Sequence, residues 1–283
     1  MNIRTVGVVG AGVMGIGVAQ SLAQAGHNVI LVDISDNILE HARAEITKNI
    51  RLQRMWNKKP DQESIETIIQ RITFTQNYNL FTDVDFVIEN ATEKWEIKRK
   101  IHEQIDAICP EDVIFAVNTS AISITRVGSV TKRPERIIGT HFMNPVPMKN
   151  TVEVIRGYHT SEETIDTTKE LLASMGKEGI VVNDMPGFVS NRISHLFMNE
   201  AAFVVQDQVA TAEEVDEIFT RCYGHAMGPL QTADLIGLDT VLDTLHVLYE
   251  SYNDSKYRPC PLLKKMVDAG LYGRKSGQGF YSY

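Results

Sequence analysis

Thr5-Val-Gly-Val-Val-Gly10-Ala-Gly12-Val-Met-Gly15 is the stretch that decides the fold of the first half of this 283-residue chain. The β-branched run before Gly10 predicts a short buried strand of a parallel sheet. The residues from Val13 to Ala25 predict a helix, and the glycine that follows them is a common helix end. A second β-rich run covers 28–32 and leads to Asp33, 18 residues after Gly15. The stretch therefore predicts one compact βαβ unit.

The GxGxxG turn of this unit indicates a dinucleotide site, because it follows a strand and opens a helix. Gly10 allows the tight turn, Gly12 lets the backbone approach a pyrophosphate, and Gly15 lets the helix pack closely on the strand. The first N–H groups of the helix, beginning with Val13 and Met14, are free to bind an anion. A glycine turn without a ligand is the alternative, and the strand–turn–helix context argues against it.

Asp33 selects the cofactor. A carboxylate at the end of the second strand accepts hydrogen bonds from the adenosine ribose and repels the additional phosphate of NADP. The next two residues, Ile34 and Ser35, supply no cation. The sequence therefore predicts NAD, and the alternative is a surface aspartate that caps the next turn.

The composition excludes several classes of function. Acidic residues outnumber basic ones by 36 to 28, and a net charge of −8 argues against nucleic acid as the main partner. No uninterrupted apolar run approaches the roughly 18 residues that a membrane helix needs. The three cysteines are far apart and the eight histidines lack metal-ligand spacing, so we expect neither disulfides nor a metal site. A cytoplasmic protein without a membrane partner is the expectation.

The pattern along the chain predicts two domains. Residues 1–185 alternate between strands and helices, which predicts an α/β, mostly parallel Rossmann-type sheet with a charged helical hairpin inserted at about 36–72. Residues 186–283 predict a smaller all-helical domain, in which one helix covers about 232–252. Further predicted strands of the first domain are Val84–Ile88, Val113–Val117, Arg136–Thr140, Val152–Ile155 and Gly179–Val182.

Three further segments carry polar residues suited to chemistry: Asn118-Thr-Ser120-Ala, His141-Phe-Met-Asn-Pro-Val-Pro147 with Glu153 beyond it, and Asp184-Met-Pro-Gly-Phe-Val-Ser-Asn191-Arg192. Together with the glycine turn and the C-terminal Gly273-Arg-Lys-Ser-Gly-Gln-Gly-Phe-Tyr281, they resemble the 3-hydroxyacyl-CoA dehydrogenase family. The resemblance covers essentially the whole chain and is strongest to bacterial 3-hydroxybutyryl-CoA dehydrogenases. It implies NAD-dependent oxidation of a 3-hydroxyacyl thioester, and the reverse reduction.

His141 is the candidate general base, because its ordinary pKa lies near physiological pH. Glu153 is suited to hold the other ring nitrogen and to stabilise the imidazolium. The alternatives are a structural histidine and a charged residue at a strand edge. The resemblance implies that the two residues are the catalytic pair.

The resemblance also implies roles for five further residues. Ser120 and Asn191 are to orient substrate and transition state, which places the reaction in a cleft between the domains. The alternatives are a helix N-cap for Ser120 and a capping or inter-domain hydrogen bond for Asn191. The positions that match NAD contacts are Glu93, Lys98 and Lys275. Asn118 is a candidate NAD contact on a different ground, because it ends a predicted strand, where the ligands of parallel sheets are expected. Without the resemblance, Glu93 and Lys98 are an ordinary pair at a helix start and Lys275 is a solvated tail residue.

The hairpin departs from the family where the family contacts CoA. Asn49 stands in place of a serine and keeps a hydrogen-bonding side chain, whereas Trp56 stands in place of a lysine and offers no ammonium to phosphate. Nearby cations are substitutes for that lysine, namely Arg51, Arg54, Lys58 and Lys59. The alternative is that these four form the solvated face of a charged helix.

Residues near the reacting end also depart from the family pattern. Ala121 stands where a second serine is common, and Asn150-Thr151 stand where a Lys-Leu pair is common. These changes motivate a second hypothesis, a short hydroxylated acyl group of the glyceryl type on an acyl carrier protein, oxidised toward a hydroxymalonyl extender unit in secondary metabolism. The basic hairpin residues would then dock the acidic carrier protein.

Two other functional classes fit the predicted NAD-binding domain less well. A non-catalytic NAD-binding protein would have no need of four polar site residues together. A dehydrogenase for a free 3-hydroxy acid would use a cation near the carboxylate, for which Arg192 is the candidate; otherwise Arg192 is an ion-pair partner at a helix start. The resemblance implies a homodimer formed by the helical domain.

Overall fold

The structure is a computed structural model that describes residues 3–56 and 63–283. The chain forms two compact units, Met1–Asp184 and Met185–Tyr283. The first unit is built on a sheet and the second on helices. None of the helices within the described ranges is both long and apolar enough to cross a membrane.

One eight-stranded sheet forms the centre of the first unit, with the strand order β3-β2-β1-β4-β5-β6-β7-β8. Its strands are β1 (Thr5–Val9), β2 (Asn28–Val32), β3 (Ile72–Thr75), β4 (Phe86–Glu89), β5 (Ile114–Val117), β6 (Ile137–His141), β7 (Thr151–Arg156) and β8 (Glu178–Asn183). All neighbouring strands run parallel except β6 and β7. The mostly parallel sheet predicted from the sequence is confirmed.

Helices accompany this sheet because the crossover between parallel strands must pass over a face. They are α1 (Val13–Gln24), α2 (Asp36–Trp56), α3 (Ile65–Gln70), α4 (Trp95–Ile108), α5 (Ile124–Gly128) and α6 (Glu162–Ser174). The buried stripe of α2 consists of Leu39, Ala42, Ile46 and Ile50, at helical spacing, and it joins the core with β1 and β2.

Five helices build the second unit: α7 (Ser190–Gln206), α8 (Ala212–Tyr223), α9 (Pro229–Ile236), α10 (Leu238–Tyr252) and α11 (Pro261–Asp268). Their core includes Met198, Leu230, Leu238, Val241 and Leu245, all nearly inaccessible to solvent. The polar and helical pattern after residue 185 thus corresponds to a separate helical core.

Two sequence predictions about elements are wrong. The hairpin helix predicted to end at Ile72 ends earlier, and Ile72 opens β3, whose register places it beside Val29. Isoleucines at helical spacing imitate a longer helix, and pairing with β2 overrides that local signal. The helix predicted over 232–252 is two helices, since Gly237 between them has a φ of 106°, outside the helical region.

Candidate active site

The carboxyl ends of the parallel strands gather the candidate residues at one edge of the sheet. Strand order reverses between β2-β1 and β4-β5, so the crevice beside β1 and β4 is the expected place for a ligand. Gly10, Asp33 and Asn118 directly follow three of these strands, and His141 ends β6. The first unit therefore brings these four residues to one edge of the sheet.

The three glycines of the Gly10–Gly15 turn differ in the space around them, and only Gly12 has room for a ligand. A Cβ on Gly10 would lie 2.9 Å from the Asn90 carbonyl, and its φ is +90°. A Cβ on Gly15 would lie 1.8 Å from the Gly10 carbonyl oxygen. A Cβ on Gly12 would meet nothing within 4 Å. Two glycines thus shape the turn, and Gly12 keeps a surface open.

The N-terminus of α1 is an uncompensated positive end of a helix. Its N-cap, Gly12, offers no side-chain hydrogen bond, and the first turn holds no acidic residue. Val13 and Met14 begin the helix, and the Val13 side chain is exposed. The turn and this terminus together fit the pyrophosphate of a dinucleotide.

Asp33 lies against the glycine turn. Its Oδ2 accepts a hydrogen bond from the Ala11 N–H at 2.6 Å, and its Oδ1 accepts one from the Ile34 N–H at 2.6 Å. A carboxylate has about four acceptor positions, so two remain for ribose hydroxyls. The contact with Ile34 also corresponds to the capping alternative, and the two roles are compatible.

His141 and Glu153 are direct partners across two antiparallel strands. The register of β6 and β7 sets them opposite each other, and His141 Nδ1 lies 2.8 Å from Glu153 Oε2. The other ring nitrogen, Nε2, lies 3.2 Å from the Ser120 hydroxyl oxygen. Because an ionised carboxylate only accepts, Nδ1 carries the proton and Nε2 is left as an acceptor. Strand β7 is interior, so Glu153 is not at a sheet edge.

Glu93 holds the segment that carries Ser120. Its carboxylate accepts a hydrogen bond from the Ser120 N–H at 2.7 Å and one from the Thr119 hydroxyl at 2.8 Å. The N-cap of α5 is Ser123, so Ser120 does not serve as that cap. Glu93 thus fixes the loop that presents the Ser120 hydroxyl to His141.

Lys98 is enclosed and pairs with a residue that the sequence analysis did not single out. Its ammonium donates to both oxygens of Glu89, at 2.9 and 2.8 Å, and to the Asn118 carbonyl at 3.1 Å. Both side chains of this pair are 0% exposed. The alternative of an ordinary pair between Lys98 and Glu93 is therefore wrong. The sequence signal was available, since a carboxylate ends the apolar strand Phe86–Glu89 at the ligand edge.

Two predicted site residues lie in the second unit. Asn191 is the second residue of α7, and its carbonyl lies 3.0 Å from His195 Nδ1. Lys275 pairs with Asp239, with its Nζ 2.6 Å from the Oδ2 of that residue. Lys275 is therefore a paired residue and not merely a solvated one.

The C-terminal tail that carries Lys275 is fastened by Asp234. Its carboxylate accepts from the Phe280 N–H and the Tyr281 N–H, both at 3.0 Å. A Cβ on Gly273 or Gly279 would lie within 2.3 Å of Asp234 atoms, so only glycine fits at these two positions of the tail.

The basic residues of the hairpin are only partly available. Arg51 is exposed, Asn49 is half-buried, and Arg54 donates to the Glu63 carbonyl oxygen. Lys58 and Lys59 lie outside the described residues. Arg51 is therefore the one predicted docking residue, among those that the structure describes, for which exposure supports the role.

Thr151 and Arg192, which the alternative substrates depend on, have defined positions in the structure. Thr151 is exposed at the start of β7, two residues before Glu153 and on the same face of the strand. Arg192 Nη1 donates to the Tyr252 hydroxyl at 3.2 Å and its guanidinium lies over that ring, so its contact there is aromatic and not an ion pair.

Within the described ranges, no group of three or more His, Cys, Asp or Glu residues could hold a metal ion.

Comparison with known proteins decides the family. The profile of the 3-hydroxyacyl-CoA dehydrogenase NAD binding domain matches residues 5–185, and that of the C-terminal domain matches residues 187–283. The chain belongs to the 3-hydroxyacyl-CoA dehydrogenase family. It is an NAD-dependent oxidoreductase, and the glycine turn and Asp33 lie in its NAD-binding domain.

Relatives of this dehydrogenase align along nearly the whole chain. It is 44% identical over 283 residues to a probable 3-hydroxybutyryl-CoA dehydrogenase of Bacillus subtilis, covering 100% of this chain and 98% of the relative. It is 46% identical to a 3-hydroxybutyryl-CoA dehydrogenase of Bradyrhizobium diazoefficiens, covering 99% and 96%. The crystal structure of (S)-3-hydroxybutyryl-CoA dehydrogenase from Ralstonia eutropha matches with a TM-score of 0.96 and 45% identity, covering 100% and 99%.

Proposed function

We propose that this dehydrogenase interconverts (S)-3-hydroxybutyryl-CoA and acetoacetyl-CoA, with NAD as the hydride acceptor and NADH as the donor. The proposal rests mainly on the two contacts of the His141 ring. Its Nδ1 lies 2.8 Å from Glu153 Oε2, and its Nε2 lies 3.2 Å from Ser120 Oγ. The names of the relatives supply the substrate class.

In the oxidation, His141 Nε2 takes the proton of the substrate hydroxyl as the hydride leaves the carbon that carries this hydroxyl. NAD supplies the acceptor for that hydride. The Glu153 carboxylate fixes the Nδ1–H tautomer and stabilises the imidazolium that results. The reduction runs the same steps backward, with the imidazolium returning the proton to the new alkoxide oxygen.

Ser120 donates to the reacting oxygen, where charge develops. The geometry that supports this role is the hydroxyl's position beside His141 and its loop's attachment to Glu93. Asn191 is proposed as the residue that orients the thioester carbonyl, and the family resemblance supports it.

The NAD contacts are proposed residue by residue. The glycine turn, with the first N–H groups of α1, binds the pyrophosphate, and Asp33 binds the adenosine ribose. Glu93, Lys98 and Lys275 contact the cofactor by resemblance, and Asn118 contacts it from the end of β5, where the ligands of parallel sheets bind.

The carrier is proposed to be CoA, because the relatives named above act on CoA thioesters. The carrier-protein hypothesis depends on the basic face at Arg51, and the exposed Thr151 supports it at the acyl end. Arg51→Glu tests it directly. An acyl-carrier-protein substrate should lose most of its turnover in this variant if the docking idea holds.

We propose a cytoplasmic homodimer. Exposed apolar side chains on the helical unit support the dimer: Ile193, Ile218, Tyr223 and Leu235 are each 49–69% exposed. The three free cysteines are consistent with a reducing compartment. Light scattering at monomer mass across concentrations would contradict the dimer.

The test of the proposed function is nicotinamide absorbance with purified protein. NADH is offered with acetoacetyl-CoA, and NAD with (S)-3-hydroxybutyryl-CoA, with His141→Ala as the control. Turnover that falls by at least about a thousandfold in the control supports the proposal. Binding of NAD without turnover of either thioester would refute the substrate class and direct the search to carrier-bound acyl groups.

A further inference from the structure

A second charged cluster lies beneath the ligand edge of the sheet, and the proposed reaction does not use it. It consists of Glu89 at the end of β4 with Lys98 and His102 from α4. All three side chains are 0% exposed. His102 Nε2 lies 3.2 Å from Glu89 Oε2, and the imidazole ring lies near Phe115 with a centroid separation of 6.2 Å.

The hydrogen bonds of this cluster are nearly complete. Glu89 Oε1 accepts from Lys98 and from the Ala91 N–H, and Oε2 accepts from Lys98 and from His102. These four bonds fill the usual capacity of a carboxylate. The third N–H of Lys98 goes to the Asn118 carbonyl, so all three donors of the ammonium have partners within the described residues. His102 Nδ1, in contrast, has no hydrogen-bond partner within the described residues.

A buried charged cluster contributes little net stability to a fold, because the desolvation of its charges opposes their attraction. Burial alone raises the pKa of the Glu89 carboxyl, and the contacts with Lys98 and His102 reverse that effect and lower the pKa below its ordinary value. Apolar residues of similar volume commonly stabilise a core at least as well as a buried ion pair. The cluster therefore calls for a role that apolar side chains do not supply, namely the placement of a specific polar group.

The group that the cluster places is the backbone of Asn118. Lys98 holds the Asn118 carbonyl, and the Asn118 N–H donates to the Glu89 carbonyl at 2.8 Å. The Asn118 side chain donates to Asn90 at 2.8 Å. Two residues later, Ser120 meets His141. One continuous set of hydrogen bonds therefore connects the buried carboxylate to the loop at the reacting end.

We infer that Glu89, Lys98 and His102 are positioning residues that hold the 118–120 segment in register with His141 and with bound NAD. They touch neither substrate nor the reacting atoms. The catalytic part of the inference rests on the proposed function, whereas the part concerning NAD rests only on membership of the family.

The main test is the double variant Glu89→Gln/Lys98→Met, which removes both charges at once and keeps the volume. Its matched control is Arg99→Met/Glu103→Gln, which neutralises the exposed ion pair of the same helix, at 2.9 Å. For E89Q/K98M we expect an NADH dissociation constant raised about fivefold and a kcat lowered about tenfold, as for the loss of a charged hydrogen bond. The control should match the wild type in both quantities.

A double-mutant cycle separates positioning from a general loss of structure. In the Ser120→Ala background, E89Q/K98M should lower kcat less than twofold further, since the residue on which the cluster acts is already gone. A further tenfold fall would mean that the cluster acts independently of Ser120 and would overturn the inference. So would an unchanged NADH affinity in E89Q/K98M.

The inference stays testable if the main variant does not fold or if no thioester is turned over. His102→Phe keeps the ion pair and an aromatic ring beside Phe115, and it should raise the NADH dissociation constant about threefold; an unchanged value overturns the inference. If the wild type turns over neither thioester, the proposed substrate fails, and NADH titration by fluorescence still decides the role of the cluster.

Discussion

Glu153→Gln is the change that tests the His141–Glu153 pair most sharply. The substitution keeps the size of the side chain and an oxygen that accepts, and it removes one negative charge 2.8 Å from His141 Nδ1. Glu153 is 12% exposed at its side chain, so water screens the pair poorly. The effect should therefore fall on the step in which the imidazolium forms.

The size of the effect follows from Coulomb's law. Two unit charges with centres about 4 Å apart attract by about 4 kcal/mol at an effective dielectric constant of about 20. The glutamine oxygen still accepts a hydrogen bond, which returns about 1 kcal/mol. A net loss of about 3 kcal/mol corresponds to a kcat lowered by roughly 100- to 200-fold.

The assay is the oxidation of (S)-3-hydroxybutyryl-CoA with saturating NAD, followed by NADH absorbance. The KM for the thioester should stay within about twofold, because Glu153 is proposed to act on the proton-transfer step through His141. Glu178→Gln is the matched control, since Glu178 is an exposed carboxylate on the neighbouring strand β8. Circular dichroism and the melting temperature establish that both variants are folded.

A kcat that falls less than tenfold in E153Q would refute the electrostatic reasoning. Equal falls in E153Q and E178Q would refute it as well, because the effect would then not depend on the contact with His141. A large rise in KM with an unchanged kcat would move Glu153 from the reacting end to substrate binding.

Three further predictions concern the cofactor site and the thiols. Gly12→Ala should weaken NADH binding and leave the free energy of unfolding within about 1 kcal/mol of wild type. Gly15→Ala should destabilise the fold by about 1–3 kcal/mol, because a Cβ at position 15 meets backbone atoms and a Cβ at position 12 does not. Equal melting temperatures of the two variants would contradict this prediction. Asp33→Asn should lower the ratio of kcat/KM for NADH over NADPH at least tenfold, since the charge that repels the additional phosphate is gone, and an unchanged ratio would contradict the assignment. A thiol reagent at pH 8 should label one cysteine of the native protein, Cys222, which is exposed, because burial raises the pKa of Cys109 to about 12 and Cys260 is buried too; a second rapidly labelled thiol would contradict this.

Local features of this protein could be predicted from the sequence, because each of them is determined by residues that are close together in the chain. The strand before Gly10, the helix after it and the carboxylate at Asp33 are all set by neighbours in the chain. Thr211 and Glu214, three residues apart in the chain, form a capping box with both of its hydrogen bonds at the start of α8, and its cause is equally local. The family could be predicted for a similar reason, since ordered motifs need no knowledge of contacts.

Local signals failed where a distant partner decides the conformation. Ile72 continues a helical pattern, yet it lies in β3 because β2 offers an unpaired edge there. Gly237 lies within an apolar helical pattern, and a backbone with a φ of 106° interrupts that helix. Both positions satisfy the helical period, so periodicity by itself favours the wrong answer.

The sequence by itself determined the βαβ unit, the preference for NAD and the identities of the polar residues at the reacting end. Only the tertiary structure decided which charge meets which: Lys98 pairs with Glu89 and not with Glu93, and Arg192 lies on Tyr252. The physical reason is that propensities and turns depend on adjacent residues, whereas the partner of a buried charge depends on strand order and register. Those are set by the burial of the whole core, to which every element contributes.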